Sequence, residues 1–231
     1  MSIPKIIHQV WEGKDEPLPN FLAELGQTWK DHHPDWLYMF WNGDRMNAFM
    51  SEHPEYLDTY NQYPYAVQRW DMIRYLILYE YGGVYADFDY ECIEPLDDLV
   101  NGQSCCLALD PEEHAQIFNK DSIVTNALMA IEARHPLLKQ VLDHLLQNSF
   151  EGDKNDKFNY VLNTTGPYML TRVYEAYTAK DGIRLLSPSI VSPLTKMEIV
   201  SYVNGNLGEE IVNGKLQDAV AMHYFFGSWY S

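Results

Sequence analysis

The stretch YGGVYADFDYEC, residues 81–92, sets two carboxylates, Asp87 and Asp89, one residue apart among apolar and aromatic neighbours. Carboxylates this close repel and raise each other's pKa. A hard divalent cation with oxygen ligands removes the conflict. The Gly82-Gly83 pair ends a preceding helix, and the β-branched and aromatic residues after it favour an extended chain. In a strand, positions i and i+2 share a face, so Asp87, Asp89 and Glu91 are expected on one side, with Val84, Ala86 and Phe88 on the other. The alternative for an isolated D-x-D is a strand running out into solvent, where charge costs little.

A carboxylate pair does chemistry only if other elements position it. A strand at 3–11 leads through a Pro/Gly/charged loop to a helix at 18–31 and an aromatic strand, WLYMFWN, which is a β-α-β opening. Short helical pieces fill 44–60. The strongest helix covers 66–81: Ala66, Trp70, Ile73, Ile77 and Tyr81 fall on one stripe at 3.6 spacing, with Val67, Asp71, Arg74 and Leu78 beside it. After the D-x-D strand come Pro95, a short acidic segment and a strand, SCCLALD. Helices follow at 123–133, 136–148 and 167–180, then a strand, IRLLSP, and the closing AVAMHYFFGSW. Alternating strands and helices predict one α/β domain over 1–231, three-layered around a central, mostly parallel sheet. In such sheets ligands bind beyond the C-terminal ends of strands. Asp87 and Asp89 fall at such an end.

Composition narrows the class. Lys and Arg number 16 against 33 Asp and Glu, a net charge of -17; phosphate backbones need clustered cations, so no nucleic-acid partner is expected. A polybasic membrane anchor is disfavoured for the same reason. Cys92, Cys105 and Cys106 include a vicinal pair and read as reduced thiols of a cytoplasmic protein. MSIPKIIHQVW lacks the basic-then-apolar pattern of a secretory signal, and no stretch reaches the roughly 18 apolar residues of a membrane span. The expectation is a soluble chain, or one peripheral at the inner membrane face. The sequon Asn163-Thr164-Thr165 then carries no glycan.

Asp71 and Arg74, three apart on the helix, read in two ways: a surface ion pair worth roughly a few tenths of a kcal/mol, or an Arg facing an anionic group held by a metal. The pattern D-x-x-R, then Gly-Gly-hydrophobic-Tyr-x-Asp-x-Asp, resembles glycosyltransferase family 32. That DXD sugar-binding group includes capsular polysaccharide enzymes and the fungal initiating α-mannosyltransferase, and the glucosylating domains of large clostridial toxins are a more distant likeness. IPKIIHQVW is similar to the family's opening strand, NTTGP to its Thr-Gly-Pro element and HYFFGSW to its His...Ser-Trp ending. One departure is Trp70, which stands where related sequences often have Ser before the helix aspartate.

The resemblance implies a GT-A-like nucleotide-sugar-binding fold. It implies a metal-dependent retaining transferase, using Mn²⁺ or Mg²⁺, that moves a hexose from a UDP- or GDP-sugar to a hydroxyl of an envelope glycan or glycolipid in α-linkage. By the same resemblance Trp11 stacks on the base, Asp71 and Arg74 contact the donor sugar and diphosphate, Asp87 contacts the ribose and donor sugar, and Asp89 ligates the metal. A cation that takes about six ligands needs more than two aspartates, and His223 is the candidate third. Ser228 is placed to reach the metal or phosphate, and the Trp229 indole N–H to donate to the leaving diphosphate. Asn126 and Asn163 are further candidates for sugar hydroxyls. Trp11 and His223 also read as core side chains with satisfied hydrogen bonds, and the TGP run as a plain helix start.

Three rivals remain at this stage. Haloacid-dehalogenase-like phosphatases also carry D-x-D after apolar residues, but on the first strand and with Thr or Val where Glu91 stands here. A glycoside hydrolase needs its two carboxyls about 5–10 Å apart across a sugar. A catalytically silent sugar- or nucleotide-binding module is the non-enzyme alternative.

Overall fold

The structure is a computed structural model that describes residues 2–13, 17–148 and 152–227. The chain opens with β1 (Ile6–Val10), α1 (Asn20–His32), β2 (Leu37–Trp41), α2 (Gly43–Ser51) and α3 (Pro54–Gln62). Next, α4 (Ala66–Tyr81) runs straight into β3 (Gly83–Ala86), and a turn leads to the short β4 (Tyr90–Cys92). There follow α5 (Asp97–Val100), β5 (Cys105–Leu109), α6 (Glu112–Ile117), β6 (Val124–Ile131) and α7 (Pro136–Asn148). The last elements are α8 (Lys157–Thr164), α9 (Pro167–Ala176), β7 (Ile183–Leu186), α10 (Pro188–Val191), α11 (Lys196–Val203), α12 (Glu209–Leu216) and β8 (Ala221–His223).

Six strands form the central sheet in the order β2-β1-β3-β6-β5-β7, and β4 pairs with β8 in a small second sheet. Neighbours β2-β1, β1-β3 and β5-β7 are parallel, whereas β6 runs antiparallel to both β3 and β5. Where the sequence predicts a helix over 123–133, the chain instead forms the strand Val124–Ile131. Ala, Leu and Met in VTNALMAI favour helix, but all eight residues of β6 are buried. A short run that is apolar throughout carries no period to distinguish the two states. The slot between β3 and β5 decides.

Alternation along the strands splits the core in two. Tyr85, Cys105, Leu107 and Met129 pack with α2, α3, α4, α7 and α9 on one face. Val84, Ala86, Cys106 and Ala108 pack with Trp29 of α1, Val100 of α5 and Val191 of α10 on the other, where β4 and β8 also sit. The three thiols are buried and free. Burial pushes Cys92 up to about 12 and Cys106 to about 11, so none is a nucleophile near neutrality.

The predicted apolar stripe on α4 is too narrow. Met72, Ile73, Tyr75, Leu76, Ile77 and Leu78 are all buried, while Tyr81, on the predicted stripe, is 39% exposed. The helix touches β1, β3 and β6 as well as α3, α7 and α8, so it is covered nearly all round. That is why its polar residues, Gln68, Asp71 and Arg74, are buried too.

The joint between α4 and β3 requires its two glycines. Gly82 and Gly83 have φ of +63 and +103, and a Cβ on Gly83 would lie 2.5 Å from the Ile6 carbonyl oxygen. His8 of β1 clamps this joint: its Nε2 is 2.9 Å from the Gly82 carbonyl, and the Trp41 indole N–H donates to its Nδ1 at 3.1 Å. Among the described residues no helix is long and apolar enough to cross a membrane.

Candidate active site

Asp87 and Asp89 lie just past β3 and not within a strand. Residues 87–90 form a turn closed by the Tyr90 N–H on the Asp87 carbonyl at 3.1 Å. Asp is a poor strand former and suits turns, and the register to β6 continues for one residue only, with the Asp87 N–H on the Ala127 carbonyl at 2.8 Å. The two carboxylates consequently do not share a strand face. Asp87 meets Arg74, and Asp89 meets His223.

Between them the Phe88 ring is buried edge-on to Trp11 at 6.4 Å and to Phe40 at 5.8 Å. It packs on Gly26 of α1, where a Cβ would fall 2.8 Å from the ring. Trp11 itself is half-buried at the end of β1.

Arg74 is the hub of the Asp87 side. Its Nη1 lies 3.1 Å from Asp87 Oδ1 and its Nη2 3.3 Å from Asp71 Oδ1. It also donates to the Asn126 and Trp70 carbonyls and lies over the Tyr85 ring, whose hydroxyl donates to Asp87 Oδ1 at 2.5 Å. Asp71 accepts from Asn126 Nδ2 at 2.9 Å and from Thr165 Oγ1 at 2.7 Å. Burial raises Asp71 to about 6, opposed by Arg74 and by the Thr165 and Asn126 hydrogen bonds. Asp87 is likewise raised by burial against the pull of Arg74. The net result is a buried guanidinium held between two carboxylates.

On the other side His223 of β8 is cross-strand partner to Tyr90 of β4, and their rings stack at 4.3 Å. His223 Nε2 is 3.2 Å from Asp89 Oδ1. The Tyr224 N–H donates to the Asp89 carbonyl at 2.8 Å and the Phe226 N–H to its Oδ2 at 3.1 Å. Burial disfavours charge on both groups, yet each stabilises the other's charged form: His223 is raised and Asp89 lowered. His223 Nδ1 is buried without a hydrogen-bond partner.

Among the described residues no group of three His, Cys, Asp or Glu is placed to hold a cation. Two side chains do fit one. Neighbouring ligands about 2.1–2.2 Å from a metal are roughly 3 Å apart, which is the Asp89–His223 spacing.

The structure thus brings Asp71, Arg74, Asp87 and Asn126 together, and Asp89 with His223 beside them. The Asn126 side chain is engaged by Asp71. Asn163 lies on the exposed side of α8, donating to the Asn159 carbonyl and accepting from Arg172, outside this network. Ser228 and Trp229 lie outside the described residues. Trp70 donates its indole N–H to Glu12 at 3.1 Å, tying α4 to the loop after Trp11.

Sequence reasoning missed Tyr85 and Gln9, whose Nε2 lies 3.4 Å from the Asp87 carbonyl. It also missed the Thr165 hydroxyl and Asp110. Tyr85 stands in the quoted Tyr-x-Asp-x-Asp pattern. Pro167 does start α9, as read, but the same TGP run supplies the hydroxyl on Asp71. Asp110 closes SCCLALD, and the strand-end rule that singled out Asp87 applies to it as well.

A mostly parallel sheet with helices on both faces, whose third strand delivers a carboxylate turn beside a buried arginine, defines a GT-A-type glycosyltransferase fold. Residues 19–106 match the family described as the glycosyltransferase sugar-binding region containing DXD motif. Inositol phosphoceramide mannosyltransferase 3 of Schizosaccharomyces pombe is 34% identical over 179 residues, 76% of this chain and 46% of that protein. Mannosyl phosphorylinositol ceramide synthase SUR1 of Saccharomyces cerevisiae is 31% identical over 234 residues, 96% and 55%. The ligand-free glycosyltransferase domain from the YGT toxin superimposes with a TM-score of 0.56 over 94% of this chain and 90% of that one, at 10% identity, a likeness of fold alone. The chain spans about half the length of the two yeast relatives. It belongs to the DXD-containing sugar-binding glycosyltransferase family.

Proposed function

We propose that the chain transfers a hexosyl group from a UDP- or GDP-linked donor to a hydroxyl of a glycan or glycolipid, with retention and α-linkage, using Mn²⁺ or Mg²⁺. The observation that carries this reading is the division of the turn: Asp87 bound to the Arg74 network and Asp89 set 3.2 Å from His223. Asp89 and His223 would hold the cation, and an imidazole donor favours Mn²⁺ over the more strictly oxygen-preferring Mg²⁺. When bound, the cation neutralises charge developing on the diphosphate.

The remaining work falls to the chain's own groups. Arg74 supplies fixed positive charge at the base of the turn, which costs no reorganisation during reaction. Asp71 and Tyr85 hold that guanidinium and Asp87 in place. Both Asp87 oxygens are engaged, Oδ1 by Tyr85 and Oδ2 by Arg74. That arrangement suits a hydrogen-bonding role and disfavours Asp87 as the attacking nucleophile a phosphatase would need. The names of the yeast relatives put a mannosyl nucleotide first among donors and an inositol-phosphate glycolipid first among acceptors; such an acceptor would bring the protein to a membrane surface.

The test is release of nucleoside diphosphate from a panel of UDP- and GDP-hexoses with Mn²⁺, GDP-mannose first. Release from at least one donor, lost in Asp89→Ala, is expected. Undiminished release in Asp89→Ala refutes the cation assignment, and phosphate release from simple phosphomonoesters would favour a phosphatase.

A further inference from the structure

Behind the Asp89–His223 pair lies a group of polar atoms that the donor and cation roles leave unused. His223 Nδ1 and Asp110 Oδ1 are buried without a hydrogen-bond partner; beside them the Tyr90 hydroxyl and Ser192 Oγ face each other, and Thr125 reaches the Asp110 carboxyl. His223, Asp110, Tyr90 and Ser192 come from four segments that converge. Tyr90 stacks on His223, Ser192 caps α10, which packs on β5 and β8, and Asp110 directly follows β5, its N–H on the Ile123 carbonyl at 3.0 Å. Beyond Asp110, His114 of α6 meets the Phe225 ring at 4.7 Å, and Phe225 meets the His223 ring at 4.0 Å. Asp110 and His223 also act on each other electrostatically, the imidazole opposing the rise that burial imposes on the carboxyl.

Whenever His223 gives its Nε2 lone pair to a cation, Nδ1 carries the proton and must donate it. Histidine ligands of metals almost always donate that second N–H to a carboxylate, carbonyl or water, which fixes both ring orientation and tautomer. Tyr90 stacks on the imidazole but cannot select a nitrogen. Asp110 is the carboxylate in this group, and it follows β5, apart from the helix and the turn that carry the other acidic residues of the site.

We propose that Asp110 is the positioning residue of His223, its carboxylate accepting the Nδ1–H hydrogen bond through one bridging water so that Nε2 faces Asp89. This rests on the cation reading above. It assigns Asp110 no contact with donor or acceptor, and it makes β5 a contributor to the cation site.

The experiment is direct titration of the purified chain with Mn²⁺ alone, read by electron paramagnetic resonance without any sugar nucleotide. Asp110→Ala, Asp110→Asn and Asp89→Ala are compared with wild type. Loss of such an outer partner weakens a metal by roughly 10–100-fold, so Asp110→Ala should bind Mn²⁺ at least about tenfold more weakly. Asp110→Asn, which keeps an acceptor oxygen but no charge, should recover most of that loss. If both variants are equally weak, the carboxylate acts only through its charge and the proposal falls; wild-type affinity in Asp110→Ala also overturns it. Should Asp110→Ala fail to fold, Asp110→Asn alone is read: Mn²⁺ affinity close to wild type is expected, and a loss of more than about tenfold overturns the proposal. If Asp89→Ala also binds Mn²⁺ normally, the cation reading itself fails and takes this inference with it. Loss in Asp89→Ala without loss in Asp110→Ala sinks only the latter.

Discussion

His8 is held neutral by the fold, and lowering the pH should reveal how much the α4–β3 joint depends on it. Burial lowers its pKa from 6.5 to about 4, the Gly82 carbonyl opposing and nearby Arg45 adding to the fall. The unfolded chain takes up a proton as the pH drops through 6.5, while the folded chain does not until about 4. Stability is therefore lost across that window, is complete above it, and changes no further below it. At about 1.4 kcal/mol per tenfold in a proton affinity, the gap is worth about 3 kcal/mol, most of it lost by about pH 4.5. The measurement is urea unfolding of wild type and His8→Asn at about pH 7 and about pH 4.5. The carboxylates are common to both proteins, so the difference between their two pH dependences isolates His8. Wild type should lose about 2.4 kcal/mol more than the variant over this range. Parallel losses would refute a neutral, clamped imidazole.

Two further substitutions probe the elements around the turn. Gly83→Ala puts a Cβ against the Ile6 carbonyl in a positive-φ residue and should cost at least about 2 kcal/mol in the urea midpoint; an unchanged midpoint would mean the joint relaxes. Thr165→Val removes the hydroxyl that donates to buried Asp71, a loss of roughly 1–3 kcal/mol. That hydrogen bond holds Asp71 down against burial, so the acidic limb of the transfer pH profile should move to higher pH; a fixed limb would show that Asp71 does not govern it.

Half of the twelve described helices, α1 to α4, α7 and α9, were legible because their signals are local. The boundaries of 66–81 coincide with α4, since Gly82 stops it and its apolar residues recur at helical spacing. β6 was not legible, because its assignment is made by the two strands that flank it. The strand reading of Asp87 and Asp89 followed from the residues around them, and the turn that separates them depends on closure by Tyr90. Their separate tasks were nevertheless visible in the resemblance, which paired Asp87 with the donor and Asp89 with a cation. Tyr85, Thr165 and Asp110 carried weaker signals, for each makes its contribution through a contact with a residue distant in sequence or in another strand.

Among the described residues the antiparallel β6 is the one strand joining the β2-β1-β3 half of the central sheet to the β5-β7 half. It also carries Asn126 and the carbonyl that receives the Asp87 N–H. During synthesis, then, the ribosome will have delivered the whole D-x-D segment long before that segment can be a site. Asp71 waits for residues 126 and 165, and Asp89 for residue 223. The contacts that hold Asp71 and Asp89 are therefore complete only when β8, the last described strand, has been made.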